Sequence, residues 1–221
     1  RVTTVSNWLG EIVQASPIFA DKSVHTVYNG MDETVYFPRN KAAVRAKLGL
    51  PADAVIVMIA GQSVEGTSRH GNGATEYALQ ALSSCERNIF LLVVGKSSSN
   101  VLQRWGRAGT AIPFQTDPNQ LAEYYCAADL VLVASLWETF GRIPVEAQLC
   151  GIPVVAFATG GIPEVIEDGV TGSLAPRQDA VALSRALQRL IDHPEMRENF
   201  GKAAAPRARH LFGNIEIAKA Y

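Results

Sequence analysis

The sequence predicts a doubly wound α/β domain, a parallel sheet with helices on both faces. Short β-branched runs alternate along the chain with amphipathic helical patterns. The runs at 54–60, 89–94 and 130–134 are apolar throughout, as expected of strands covered on both faces. Loops rich in Gly, Ser and Asn separate the two kinds of segment.

Taken in order, residues 2–5 read as a strand and 8–14 as a helix capped by Ser6 or Asn7. A strand at 24–28 ends in the turn signal Asn29-Gly30. The helical pattern at 41–48 stops at Gly49, a residue suited to a left-handed helix end. A buried strand at 54–60 is followed by a helix at 74–84, and a second buried strand at 89–94 ends at Gly95. The strand pattern at 109–114 is weaker. Asp117 and Pro118 open a helix through 128, the acid capping and the proline taking the first position. Then come a strand at 130–134, a helix at 141–150, a strand at 153–157, and a short helix near 163–166 after Gly160-Gly161. Helices at 180–191 and 195–211 close the chain.

Composition narrows the function. With 48% hydrophobic and 19% charged residues the chain is globular rather than disordered. Lys and Arg number 20 against 21 acids, so no global field draws in nucleic acid, and any phosphate site must be local. No apolar run reaches the ~20 residues of a membrane span, and no signal-like segment opens the chain. Cys85, Cys126 and Cys150 form no CxxC pair and sit in apolar surroundings, which reads as three reduced thiols of a cytoplasmic protein. The four histidines are scattered and supply no zinc cluster. The chain opens at Arg1 and closes within a helical pattern at Ala220-Tyr221, so it reads as part of a longer protein.

In sheets of this class ligands bind at the carboxyl ends of the strands, near a topological switch point. Three loops there bear on chemistry. Glu138 and Glu146 flank a strand-to-helix junction at Thr139-Phe140-Gly141-Arg142. The helix start offers unpaired N–H groups and the positive dipole end to an anion. Gly141 lets a ligand approach the backbone, and Pro144 fits the first turn. Helical side chains lean toward the N-terminus, so Glu146 can point back to that site. As a carboxylate it suits sugar hydroxyls better than phosphate. The competing reading is that both glutamates are acids favoured at a helix start.

The second loop, 61–73, carries Gln62, Arg69, His70 and Gly71. Arg69 can clamp a phosphate and His70 can donate to one; alone, the loop reads equally as solvated surface. Gly71-x-Gly73 lacks the third glycine of a dinucleotide turn. The third loop, Gly160-Gly161-Ile162-Pro163-Glu164, can hold a hydroxyl-rich or anionic group against its backbone, or be a tight turn. Gly95-Lys96-Ser97 is no phosphate loop, since Phe90 stands where its first glycine should be.

Together these segments resemble glycosyltransferase family 4, whose members have the GT-B fold. The resemblance runs through Val27-Tyr28-Asn29-Gly30-Met31-Asp32, the Glu138-x7-Glu146 spacing with Phe140-Gly141, Gly151-Ile152-Pro153, Gly160-Gly161-Ile162-Pro163-Glu164 and Asp168-Gly169-x-Thr171-Gly172. It covers nearly the whole chain and is densest at 128–176. It implies the Rossmann-like C-terminal half of a GT-B fold: residues 1–38 as the tail of an acceptor domain with the interdomain segment, 39–205 as the donor-binding domain, and 206–221 as the start of the closing helices. It implies a nucleotide-sugar glycosyltransferase of polysaccharide or cell-surface glycan synthesis, retaining and metal-independent, without a cofactor beyond a UDP- or GDP-sugar co-substrate.

By that resemblance Glu146 meets the ribose hydroxyls. Glu138, with the backbone of Thr139, Phe140 and Gly141, holds the transferred sugar and its phosphate, and Glu138 is the candidate catalytic residue. Phe114 and Gln115 meet the base. Where relatives carry a basic pair in the first glycine-rich loop, this chain has Gln62 and His70, with Arg69 adjacent. The acceptor, a glycan or lipid-linked hydroxyl, is expected on the absent half. That half would also mediate peripheral association with the inner membrane face, and this chain alone is expected not to transfer sugar. An epimerase of the same architecture and a non-catalytic carbohydrate- or nucleotide-binding module are the alternatives. An NAD oxidoreductase is a poorer one.

Overall fold

The computed structural model describes residues 1–63, 79, 82 and 86–220. A first βαβ unit comprises β1 (Val2–Thr4), α1 (Asn7–Gln14) and β2 (Val24–Thr26). Its two strands pair in parallel as a small sheet of their own. After α2 (Lys41–Leu48) come β3 (Val55–Ser63), β4 (Ile89–Lys96), α3 (Ser98–Trp105), β5 (Gly109–Ile112) and α4 (Pro118–Ala127). The second half contains β6 (Leu130–Val133), α5 (Arg142–Leu149), β7 (Val154–Ala158), α6 (Ile162–Val165) and β8 (Gly172–Pro176). Helices α7 (Ala180–Asp192), α8 (Pro194–Phe212) and α9 (Asn214–Ala220) follow.

Strands β3 to β8 form one parallel sheet in the order β5-β4-β3-β6-β7-β8. The chain steps outward from β3 in one direction, returns, and steps outward from β6 in the other. The switch point therefore lies between β3 and β6, and the crevice beyond their carboxyl ends is where this topology binds ligands. The apolar strands bury both faces. Ile56, Met58 and Val131 pack toward α4, α5 and α8, while Val57, Leu91 and Leu130 pack toward α3 and α7. This is the doubly wound sheet that the continuous apolar runs predict.

Two elements lay hidden in the sequence. Helix α3 begins with Ser98-Ser99-Asn100 behind Ser97, which has φ 60°, so its start reads as loop. Strand β8 opens on a glycine, ends on a proline and lies at the sheet edge, with no apolar run to mark it. Of the expected helix at 74–84 only Leu79 and Leu82 are described, both helical and buried. Helix α8 runs unbroken through Pro206, and the chain turns at Gly213 instead. There the segment after β2 and the end of α8 are tied together, Met31 N donating to Phe212 O at 2.8 Å and Asn214 N to Met31 O at 3.0 Å. Among the described residues no helix is long and apolar enough to cross a membrane, and no His, Cys, Asp and Glu cluster could hold a metal ion. Cys126 and Cys150 are buried free thiols; Cys85 lies outside the described residues.

Candidate functional site

The residues after β6 fold over the carboxyl edge of the sheet, beside the switch point. Glycine shapes this turn. A Cβ on Gly160 would fall 1.6 Å from the Glu138 carbonyl oxygen, and one on Gly161 would fall 2.6 Å from Thr139 O. The Gly161 N–H donates to Glu138 O at 3.0 Å. The close approach of the two loops therefore requires the glycine pair. From the other side Ser6, fully buried, donates its hydroxyl to Thr139 O at 2.6 Å while accepting the Leu9 N–H at 3.2 Å. The Phe140 ring is buried against Tyr28 and Phe212, at centroid distances of 5.9 and 5.5 Å, so only its backbone faces a ligand.

Gly141 stands at φ 104° and opens α5. A side chain there would be strained. The N–H groups of Arg142 and Ile143 lie in the first turn, where no helical carbonyl precedes them. This is the helix start with unpaired N–H groups that the spacing predicts. Glu138 is half-buried in the same turn. Burial pushes its carboxyl above the ordinary carboxylate range, and its side chain has no hydrogen-bond partner among the described residues.

Glu146 differs. It leans back along α5 as expected, but it is only 5% exposed and both its oxygens are engaged. Oε2 accepts the Tyr125 hydroxyl at 3.0 Å, and Oε1 accepts Arg142 Nη2 at 3.3 Å. Burial raises its pKa, opposed by hydrogen bonds from Tyr125, Arg142 and Tyr36. Burial and the neighbouring Glu146 drive the Tyr125 hydroxyl well above its usual value. Arg142, mostly exposed, is thus a partner of Glu146 and not a free helix-start cation.

Phe114 is exposed just beyond β5, and the Gln115 amide turns onto its own backbone, donating to Pro113 O at 2.8 Å. Both lie on the same edge as Glu138, but β4 and β3 separate β5 from β6. Arg69, His70 and Gly71, together with the side chain of Gln62, lie outside the described residues.

Sequence reasoning missed two arrangements. Glu164 accepts the N–H groups of Asn7 and Trp8, each at 2.9 Å, and the Tyr28 hydroxyl at 2.9 Å. Burial and Glu164 push Tyr28 up to about 12. Glu164 thereby caps α1 from across the molecule, and an acid at a helix N-terminus complements the dipole there. The Ser6-Asn7 start signalled the helix, but nothing local signalled its distant cap. The second is Trp137, whose ring carries the Arg177 guanidinium 3.9 Å from its centroid.

The fold defines the class, a Rossmann-like domain corresponding to one half of a GT-B glycosyltransferase. A profile of the Glycosyl transferases group 1 family matches residues 73–207. A D-inositol 3-phosphate glycosyltransferase 1 of Catenulispora acidiphila is 34% identical over 187 residues, covering 79% of this chain and 45% of the relative. Sucrose-phosphate synthase from Thermosynechococcus elongatus superposes with a TM-score of 0.85 at 30% identity, over 99% of this chain and 56% of that one. The Anabaena HepE protein, in complex with UDP and glucose, shares the fold with a TM-score of 0.81 at 24% identity, over 99% and 61%. The chain belongs to the group 1 glycosyltransferases, and it spans about half the length of the curated relatives it matches.

Proposed function

We propose that this chain is the donor-binding half of a retaining, metal-independent glycosyltransferase. It takes a UDP- or GDP-sugar and passes the sugar to a hydroxyl of a glycan or lipid-linked acceptor, in polysaccharide or cell-surface glycan synthesis. The anomeric carbon's bond to the diphosphate oxygen breaks, a bond to the acceptor oxygen forms, and the acceptor hydroxyl's proton leaves to the departing diphosphate. Residues 1–38 and 206–221 belong to the junction with an acceptor-binding half.

One observation carries the reading. Glu138 presents a half-buried carboxylate, without a hydrogen-bond partner among the described residues, beside a helix start at the switch point. Unmatched burial of a titratable group marks functional sites. In this reading Glu138 accepts hydrogen bonds from hydroxyls of the transferred sugar. The first N–H groups of α5 hold charge on the departing diphosphate. Arg69 adds a cationic donor to it and His70 a ring N–H donor. The ribose hydroxyls replace the exposed Arg142 on Glu146 Oε1, while Tyr125 stays on Oε2. Phe114 and Gln115 lie where the base would reach. Family membership supports the reaction class, and the Anabaena protein's ligands supply the first probes.

A thermal-shift screen against UDP, GDP, ADP and their sugars tests this. One nucleotide class should stabilise the chain, by about 2.7 kcal/mol at a hundredfold excess over Kd. Glu138→Gln should keep the bare nucleotide's shift and lose the extra shift of its sugar. No stabilisation by any of them would overturn the reading.

A further inference from the structure

Beyond Glu138 the rim carries a feature that the roles above leave unused. Trp137 is 55% exposed although it is the immediate neighbour of Glu138. The Arg177 guanidinium covers one face of its ring at 3.9 Å. Arg177 is itself tethered, its Nε donating to Leu136 O at 3.0 Å. Among the described residues neither the Arg177 terminal nitrogens nor the Trp137 indole N–H has a hydrogen-bond partner. The arrangement is therefore a pre-set aromatic face with unpaired donors around its edge.

We propose that Trp137 and Arg177 form a pyranose-binding subsite of this rim, a role that rests on the reading of the rim as a nucleotide-sugar site. A pyranose has a face of C–H bonds that stacks on the free side of an indole, and its ring of hydroxyl oxygens accepts from edge donors. The platform is one ring wide. It is bordered by the polar Thr139 and the half-buried Glu138, which fits a single sugar ring better than a protein surface.

The sheet order argues against a nucleobase. Phe114 follows β5, three strand positions from β6, or about 14 Å at the usual spacing. One ring cannot touch both. Trp137 reaches instead toward Arg177, which follows β8 on the opposite side of the switch point. A ligand laid along the rim then has its base toward β5, its diphosphate at the β3–β6 crevice and a sugar toward β8. That sugar is either the donor's own or the first ring of the acceptor glycan.

Calorimetric titration of the chain and of Trp137→Ala, Trp137→Phe and Arg177→Ala separates these sources. The probes are UDP and UDP-glucose, or GDP and GDP-mannose if the screen selects GDP, and maltotriose as a free glycan. Bare-nucleotide affinity should be unchanged in all three variants. If the platform holds the donor sugar, Trp137→Ala should weaken the nucleotide sugar about two- to tenfold, with Phe restoring much of it. If it holds the acceptor ring, only maltotriose should weaken. Arg177→Ala should follow Trp137→Ala in the affected arm. The platform is overturned if nucleotide sugar and maltotriose bind every variant as they bind the wild type while the bare nucleotide still binds. If no nucleotide binds the wild type, the donor-site reading falls, and the maltotriose arm alone decides the platform. Trp137 is exposed, so an unfolded Trp137→Ala would itself contradict the structure.

Discussion

Strand β6 ends in an acid in each direction, and the two are treated oppositely. At its foot Asp129 receives Arg45 Nη2 at 2.6 Å, Lys41 Nζ at 2.7 Å and the Ile56 N–H at 2.8 Å. Burial pushes its carboxyl up, but Lys41 and Arg45 outweigh burial and hold it below the ordinary range. Arg45, itself buried, spends its other donors on the carbonyls of Ala127, Ala52 and Ala54. In the loop beyond the head of the same strand Glu138 is pushed up by burial and has no hydrogen-bond partner among the described residues. The difference teaches where this domain spends its polar groups. At the amino edge the acid is satisfied within the fold, whereas at the carboxyl edge Glu138 has no hydrogen-bond partner among the described residues.

Three perturbations test that contrast. Asp129→Ala should cost the most, about 3–5 kcal/mol in denaturant unfolding, because it strands the buried Arg45. A loss below about 1 kcal/mol would break the comparison. Tyr125→Phe should cost about 1.5–3 kcal/mol by removing the donor to Glu146 Oε2. It should also push the Glu146 carboxyl further up. Glu138→Gln should leave stability within about 0.5 kcal/mol, since it breaks no contact.

The pH dependence should run in opposite senses. Asp129 is depressed on folding, so its contribution is present above the unfolded Asp value and is lost as pH falls through the folded one. Glu138 is raised on folding, so its contribution is complete below the unfolded Glu value and is lost as pH rises through the folded one. In pH-resolved thermal melts, Asp129→Ala should flatten the acid limb, and Glu138→Gln should remove a shallower decline just above the ordinary carboxylate range.

What could be read from the chain follows the range of the forces involved. Sheet class, the helix start at Gly141 and the position of Glu138 were legible because apolar runs, cap residues and a glycine act within a few residues. The left-handed stop at Gly49 and the proline opening α4 were legible for the same reason. The distant partners of Glu146 were not, because Tyr125 comes from another helix and Tyr36 from a segment 110 residues away. Glu164 was invisible as a cap of α1, since 156 residues separate it from Trp8. The Gly160-Gly161 pair was noticed, but the room it makes for the Glu138 carbonyl was not legible, because that contact comes from another loop. Strand β8 escaped because an edge strand needs no continuous apolar run.

The cap supplied by Glu164 has a practical side. The turn bearing Glu138 is braced by Ser6 through Thr139 and by Tyr28 through Phe140, while Glu164 fastens the start of α1 beside them. The first twenty-eight residues therefore serve as a wedge under the turn that bears Glu138. A shortened protein that begins at residue 39 would keep the sheet and lose the brace, so its ligand affinities would describe a different surface.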